Sequence, residues 1–230
     1  MQEVNQMSSE QKGFRDPTGL TKWTKWFLYA QVVVAIIAII SGMLEYQLLS
    51  DFKNGVYSSQ DQAVAAGEAS DVRQGIVGIV QMIIFIISGI LILKWIHRAN
   101  YNARQLGAKD MLFTPGWSIG WYFIPIANLW KPYQAMKEIW KASSNPQSWS
   151  TEPVSSMLPW WWFFWIVSGM LGNASFRLAM RAEEIDAFLT ANVVTQLSDV
   201  TGIPLSLIVL GIISRVYEMQ MGHAKAEQRI

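Results

Sequence analysis

Arg98 and Asn102 stand four residues apart in the run Trp95–Ala108, with Arg104 close behind. Asn128, Lys131 and Tyr133 follow in a second run, Thr114–Ser143. Residues at i and i+4 share one face of a helix, so Arg98 and Asn102 can act on one object. Guanidinium and ammonium groups aimed together bind phosphate oxygens through charge-assisted hydrogen bonds. The most natural such anion is a phospholipid headgroup held by Arg98, Arg104 and Lys131, with Asn102, Asn128 and Tyr133 adding polar contacts. Two other roles stay open. The same groups can cap the backbone of a broken helix, or Asn128 can line a path for a small solute or ion.

The parts that catalysis needs are missing. The chain has no cysteine, no H-E-x-x-H pair, no Gly-rich phosphate loop and no nucleophile elbow. Its two histidines, His97 and His223, fall outside the apolar stretches. No catalytic residue, metal or other cofactor is expected. A net charge of +1 gives no sign of a nucleic-acid partner.

The elements that must position these residues are membrane helices. Of 230 residues, 51% are hydrophobic and only 15% charged, well below the charge of soluble domains. About 20 apolar residues cross a bilayer as a helix. Four stretches meet or approach that: Trp26–Leu44, Gln74–Leu93 running on to Ile96, Pro153–Phe176 with its core at 158–176, and Val200–Tyr217. A fifth, Met111–Trp130, is interrupted by Pro115, Pro125 and Asn128 and is followed by Lys131.

Lys and Arg accumulate on the cytoplasmic side, which tests whether the fifth stretch crosses. If it does not, 14 of them lie inside and 4 outside; if it does, the split is 10 to 8. The lopsided arrangement is favoured: an all-α integral membrane protein, multi-pass, with both termini cytoplasmic. Four transmembrane helices form two tandem hairpins. A Pro-broken re-entrant or interfacial segment (111–143) and an amphipathic helix lie between them. Residues 1–22, which lack an apolar leader, are expected to be a polar cytoplasmic tail; 23–220 form one transmembrane domain, and 221–230 form a second tail.

Within the interrupted segment, Pro125 breaks any helix coming from Gly116. Bare peptide groups cannot face lipid, so Arg98, Asn102, Arg104 and Asn128 are expected to satisfy them. Gly107 reads as a helix stop and Pro132 as a first-turn residue. From there Tyr133, Met136, Ile139 and Trp140 make an apolar stripe, with Lys137, Glu138 and Lys141 expected elsewhere on the surface. That is an amphipathic helix in the membrane interface. The RAEEIDAFL stretch from Arg181 reads as a second one, and Glu45 as an ordinary interfacial acid.

Two short identities recur. Ser41-Gly42-Met43-Leu44 matches Ser168-Gly169-Met170-Leu171, and Ser70-Asp71-Val72 matches Ser198-Asp199-Val200. Their common order and nearly equal spacing point to a duplicated hairpin, a parallel rather than an inverted repeat.

The runs WIHRANYNARQLGA and PGWSIGWYFIPIANLWKPYQAMKEIWKAS resemble the bacterial membrane-protein family DUF4328. Trp95, Arg98, Asn102, Arg104, Leu106 and Gly107 carry the likeness in the first run. Pro115, Gly116, Trp117, Gly120, Trp121, Pro125, Asn128, Leu129, Trp130, Pro132, Tyr133, Gln134, Glu138 and Trp140 carry it in the second. The resemblance implies a protein of the bacterial inner (cytoplasmic) membrane and marks this region as the important one. It brings no activity with it. Function is therefore expected to be binding, an accessory or scaffold role toward the bilayer's anionic inner-leaflet lipids, a membrane-protein partner or a second copy. The alternative is an oligomeric channel or transporter.

Overall fold

A computed structural model describes residues 13–227. Among them there is no strand, and four long helices carry most of the chain: α1 (Thr18–Lys53), α2 (Gln60–Gln105), α5 (Met157–Ala179) and α6 (Ile185–Glu227). Between α2 and α5 lie two shorter ones, α3 (Pro115–Gly120) and α4 (Lys131–Ser144). Three single turns of 3-10 helix, Trp121–Phe123, Ala127–Leu129 and Trp149–Thr151, join them.

The helices start and stop where local chemistry dictates. Asp16 accepts from the backbone N–H and hydroxyl of Thr18 at the head of α1, where negative charge suits the helix dipole. Those bonds, helped by Arg98, hold the Asp16 carboxyl below its ordinary range. At the other end of α2, Gly107 takes φ +99. Ala108 N–H then bonds to Ala103 O, and Gly107 N–H to Arg104 O. This left-handed cap closes the last carbonyls, and glycine is the residue that adopts it without strain.

Three helices among the described residues are long and apolar enough to cross a membrane, not four: α1, α2 and α6. The expected fourth span lies in α5, which has 23 residues. Its four tryptophans and Asn173 lower the mean hydropathy. The helices also overrun the expected spans. α1 begins inside the stretch read as a tail, and α6 continues past 220 to Glu227. The polar 60–73 and 185–199 stretches, read as outer loops, are the first turns of α2 and α6. RAEEIDAFL is accordingly not a separate helix, because α6 starts within it at Ile185.

The chain divides into two compact units. Unit 1 takes residues up to Trp26, Gly89–Trp162 and Val209 onward; unit 2 takes Phe27–Ser88 and Phe163–Ile208. In unit 2, α1 runs against α2, with Ser41 bonded to Gln74 and Ser88 reaching Phe27 O. α5 runs against α6, with Ser168 bonded to Thr201 and Ser175 to Thr195. α2 and α6 run parallel, because Gln74 and Asn192 both donate to Glu45 while Gln81, seven residues on, donates to Asp199. The surface of unit 2 is apolar: Ile76, Ile79, Ile83, Phe85 and Ile86 of α2 and Val33, Ile36, Ile37 and Ile40 of α1 are all exposed.

Candidate functional site

The candidate residues lie in unit 1, where the chain between α2 and α4 must turn back without regular structure. A buried backbone that leaves its helix needs partners for every N–H and C=O. In unit 1 those partners are side chains.

Phe113 is the hub. Its carbonyl accepts from Asn100 Nδ2 at 2.9 Å and from Arg104 at 2.8 Å, and Arg104 also reaches Met111 O at 2.9 Å. From the other side, the Glu138 carboxylate of α4 accepts from the backbone N–H of Leu112 and Phe113. Arg104 and Glu138 therefore hold one peptide run between them instead of pairing directly. Glu138 is 5% exposed, which corrects the expectation of a surface acid. Burial pushes its carboxyl above the ordinary range, against the opposing pull of the two N–H donors and Arg104. The rest of its helix follows: Ala135, Met136, Ile139, Ala142 and Ser143 are buried in protein. The amphipathic face of α4 packs inward and is not available to lipid.

A second staple uses Asn102. Its side chain is wholly buried, accepts from Arg15 N–H and donates to Arg15 O. Arg98, one turn earlier on the same face, donates to Asp16 O. Sequence spacing placed these two side chains on one face correctly, but what they hold is residues 15 and 16 of their own chain. Trp95 donates to Thr21, and Gln220 of α6 bridges Ala99 O and Ser143. His223 bonds to Ser144 O, and no cluster of metal-ligating side chains occurs among the described residues.

The three cations expected to share an anion are thus not brought together. Arg98 serves the Asp16 peptide and Arg104 the 111–113 run. Lys131 sits apart, its Nζ 5.7 Å from the Phe113 ring centroid and 5.6 Å from that of Trp121. Cation–π contact of this kind stabilises an ammonium without neutralising it. Tyr133 packs its ring against Trp162 at 5.9 Å.

The interrupted segment itself begins cleanly. Thr114 caps α3 by accepting from Trp117 N–H, Pro115 occupies its first turn and Trp117 stacks on Trp121. No helix runs through Pro125: α3 ends at Gly120, and 3-10 turns end at Phe123 before it and start at Ala127 after it. Ile126 takes φ 67 and ψ −57, and Ala127 N–H bonds to Pro125 O at 2.7 Å. That is the positive-φ γ-turn, a strained conformation for a β-branched residue. Two residues later, the buried Oδ1 of Asn128 has no hydrogen-bond partner. Asn128 therefore does not satisfy the broken backbone. Around it Trp117, Phe123, Ile126, Leu129 and Trp130 are exposed, Phe123 and Ile126 by more than 70%.

Asn100, Phe113, Thr21 and Gln220 were missed by sequence reasoning. Only seven-residue spacing hinted at the last: Gln220 follows Asp199, Ser206 and Ile213 on α6.

These features define an all-α protein with three helices long and apolar enough to cross a membrane, and a loop region pinned by buried polar side chains. The chain matches the family described as a domain of unknown function, DUF4328, over residues 58–218, and belongs to it. No curated protein and no solved structure matches it.

Proposed function

We propose that this is a non-catalytic protein of the bacterial inner membrane that holds an anionic phospholipid headgroup at Asn128 and Lys131, in an accessory or scaffold role. In this reading α5 is the fourth span, both termini are cytoplasmic and the 111–130 segment lies in the cytoplasmic interface. At 1.5 Å per residue, the 23 residues of α5 reach about 35 Å, enough for a hydrocarbon core of about 30 Å. The inverted surface of unit 2, apolar outside and amide-rich between helices, supports burial in lipid. So does the apolar window of α2, of which 6% is buried in protein. Every tryptophan but Trp165 belongs to unit 1, the unit whose aromatic side chains suit an interface. The equal separation of the Ser41–Gln74 and Ser168–Thr201 bonds, 33 residues each, supports a duplicated hairpin.

The observation that carries the reading is the unpartnered Asn128 acceptor, three residues before Lys131, an ammonium with no carboxylate partner among the described residues. A buried acceptor without a donor costs about 1–3 kcal/mol. A headgroup bearing both a phosphate, for Lys131, and a hydroxyl, for Asn128, supplies what each lacks. The strained turn at Ile126 is the element that yields to admit it, since relaxing it lowers the energy. The exposed side chains from Trp117 to Trp130 enter the bilayer beside the lipid's glycerol.

Native mass spectrometry of gently extracted protein tests this. Wild type should retain an anionic phospholipid, and a Lys131→Gln, Asn128→Leu double variant should lose it. Equal retention by both would overturn the assignment, and a retained protein in place of lipid would transfer the site to a partner. The alternative, an oligomeric channel or transporter, draws on one observation: polar side chains between α1, α2 and α6 of unit 2.

A further inference from the structure

In α2, Gln74, Gln81 and Ser88 recur every seven residues; in α6, Asn192, Asp199 and Ser206 do the same. A seven-residue repeat keeps one seam of each helix facing its partner along the bundle. Here that seam is polar and lies wholly within unit 2. Its first level gathers Glu45 of α1, whose Oε2 accepts from Gln74 at 2.9 Å and from Asn192 at 2.8 Å. Asn192 also reaches Gly42 O and accepts from Gln196. Seven residues on, about 10 Å along the helices, Asp199 accepts from Gln81. Ser88 and Ser206, both buried, continue the rows.

This register changes where the span of α6 begins. Asn192 lies level with Gln74, the residue at which the apolar stretch of α2 starts, so Asp199 lies inside that stretch and not at its edge. A carboxylate at such depth is expensive unless it is neutralised.

The neutralising partner is not a basic side chain. Ion pairs among the described residues are Lys53–Asp186 and Arg215–Glu218, and neither involves Asp199 or Glu45. Of the other charged groups on the helices around Asp199, Arg73 of α2 donates to Ser41 and Ser70. Asp71 of α2 and Asp186 of α6 are acids, and Arg177 stands in the last turn of α5. Glu45 adds a like charge at the next level. What remains to neutralise the carboxylate is a proton.

We propose that Asp199 is a proton-uptake site within the membrane-spanning bundle, loaded from the Glu45 end. On uptake one carboxyl oxygen gains the proton as O–H while the other keeps the Gln81 N–H bond, so the charge disappears and the helix contact survives. Release restores the carboxylate, which keeps the Gln81 N–H bond. It uses none of the residues assigned to the headgroup. It rests on that part of the functional reading that puts unit 2 in the bilayer.

Infrared titration of the full chain in liposomes tests the proposal. Wild type should show a carboxylic C=O band that persists above the pH range in which exposed carboxylates ionise and disappears at higher pH. Asp199→Asn, which keeps an acceptor for Gln81, should abolish the band. Glu45→Gln should shift the pH at which it appears. No titrating band, or one unchanged in Asp199→Asn, overturns the proposal. Lipid retention by Asp199→Asn should match wild type, so failure here is separable from failure of the headgroup site. Alkaline extraction of the protein from the liposomes would instead overturn the bilayer placement on which both rest.

Discussion

Replacing Glu138 tests how the region between α2 and α4 is held. Its carboxylate accepts two backbone N–H groups, one of them, at Phe113, fully buried at 3.0 Å. Hydrogen bonds to a charged acceptor contribute about 1.5–3 kcal/mol each, and a buried donor left alone costs a similar amount. Leu112 is 84% exposed, so its N–H can turn to water. Glu138→Ala should therefore cost about 3 kcal/mol, most of it at Phe113. Glu138→Gln keeps one carbonyl oxygen for Phe113 and should cost about half that. For a chain of this size each kcal/mol lowers Tm by about 2–4 °C, giving about 6–12 °C for Ala and about 3–6 °C for Gln. Scanning fluorimetry in detergent reads both, because Trp149, hydrogen-bonded to Lys109 O, reports on the same region. The pH dependence has a definite sign. Burial raises the folded carboxyl above its unfolded value, so the folded state binds this proton more tightly. Its contribution is present below the unfolded pKa and is lost as pH rises through the folded one. The stability gap between wild type and Glu138→Gln should change across that window and be flat on either side. A Glu138→Ala protein melting within a degree of wild type would refute the reasoning.

Asn102→Ala should free the chain at Arg15, which it holds by both N–H and C=O; trypsin cleavage after Arg15 should then become fast while the rest of the fold persists. Ile126→Gly should stabilise the protein by about 1 kcal/mol in lipid-free detergent, because glycine takes positive φ without the β-branched penalty. A loss of stability there would show that Ile126 contributes packing that outweighs its strain.

Much of the fold was legible because long apolar runs, Gly107 and Pro132 each act locally. Helix class, the turn after α2, the start of α4 and the break at Pro125 all follow from neighbours a few residues away. The candidate site was legible in its membership and not in its partners. Arg98 and Arg104 look like ligand-binding cations in a sequence, because nothing local reveals that the Asp16 and Phe113 carbonyls lie within reach. Glu138 reads as a surface acid for the same reason: its helix is amphipathic, but the loop that needs its carboxylate is about 25 residues upstream. The fourth span fell short through composition. Tryptophan is apolar in bulk yet carries an N–H, and four of them in α5 weaken a hydropathy average that geometry does not. The polar seam of unit 2 was present as a seven-residue spacing and was passed over, since each member taken alone is an ordinary Gln, Asn or Ser.

Depth measurement of the interrupted segment tests the central claim most directly. The chain has no cysteine, so single cysteines can be placed at Phe123, Ile126, Gln134 and Gln147, labelled, and challenged in native membranes with spin-labelled lipid and with a water-soluble maleimide. The account predicts that labels at 123 and 126 are quenched by lipid, while 134 and 147 react with maleimide from the cytoplasmic side alone. Water-accessible labels at 123 and 126, or reaction at 147 from the outer side, would contradict it.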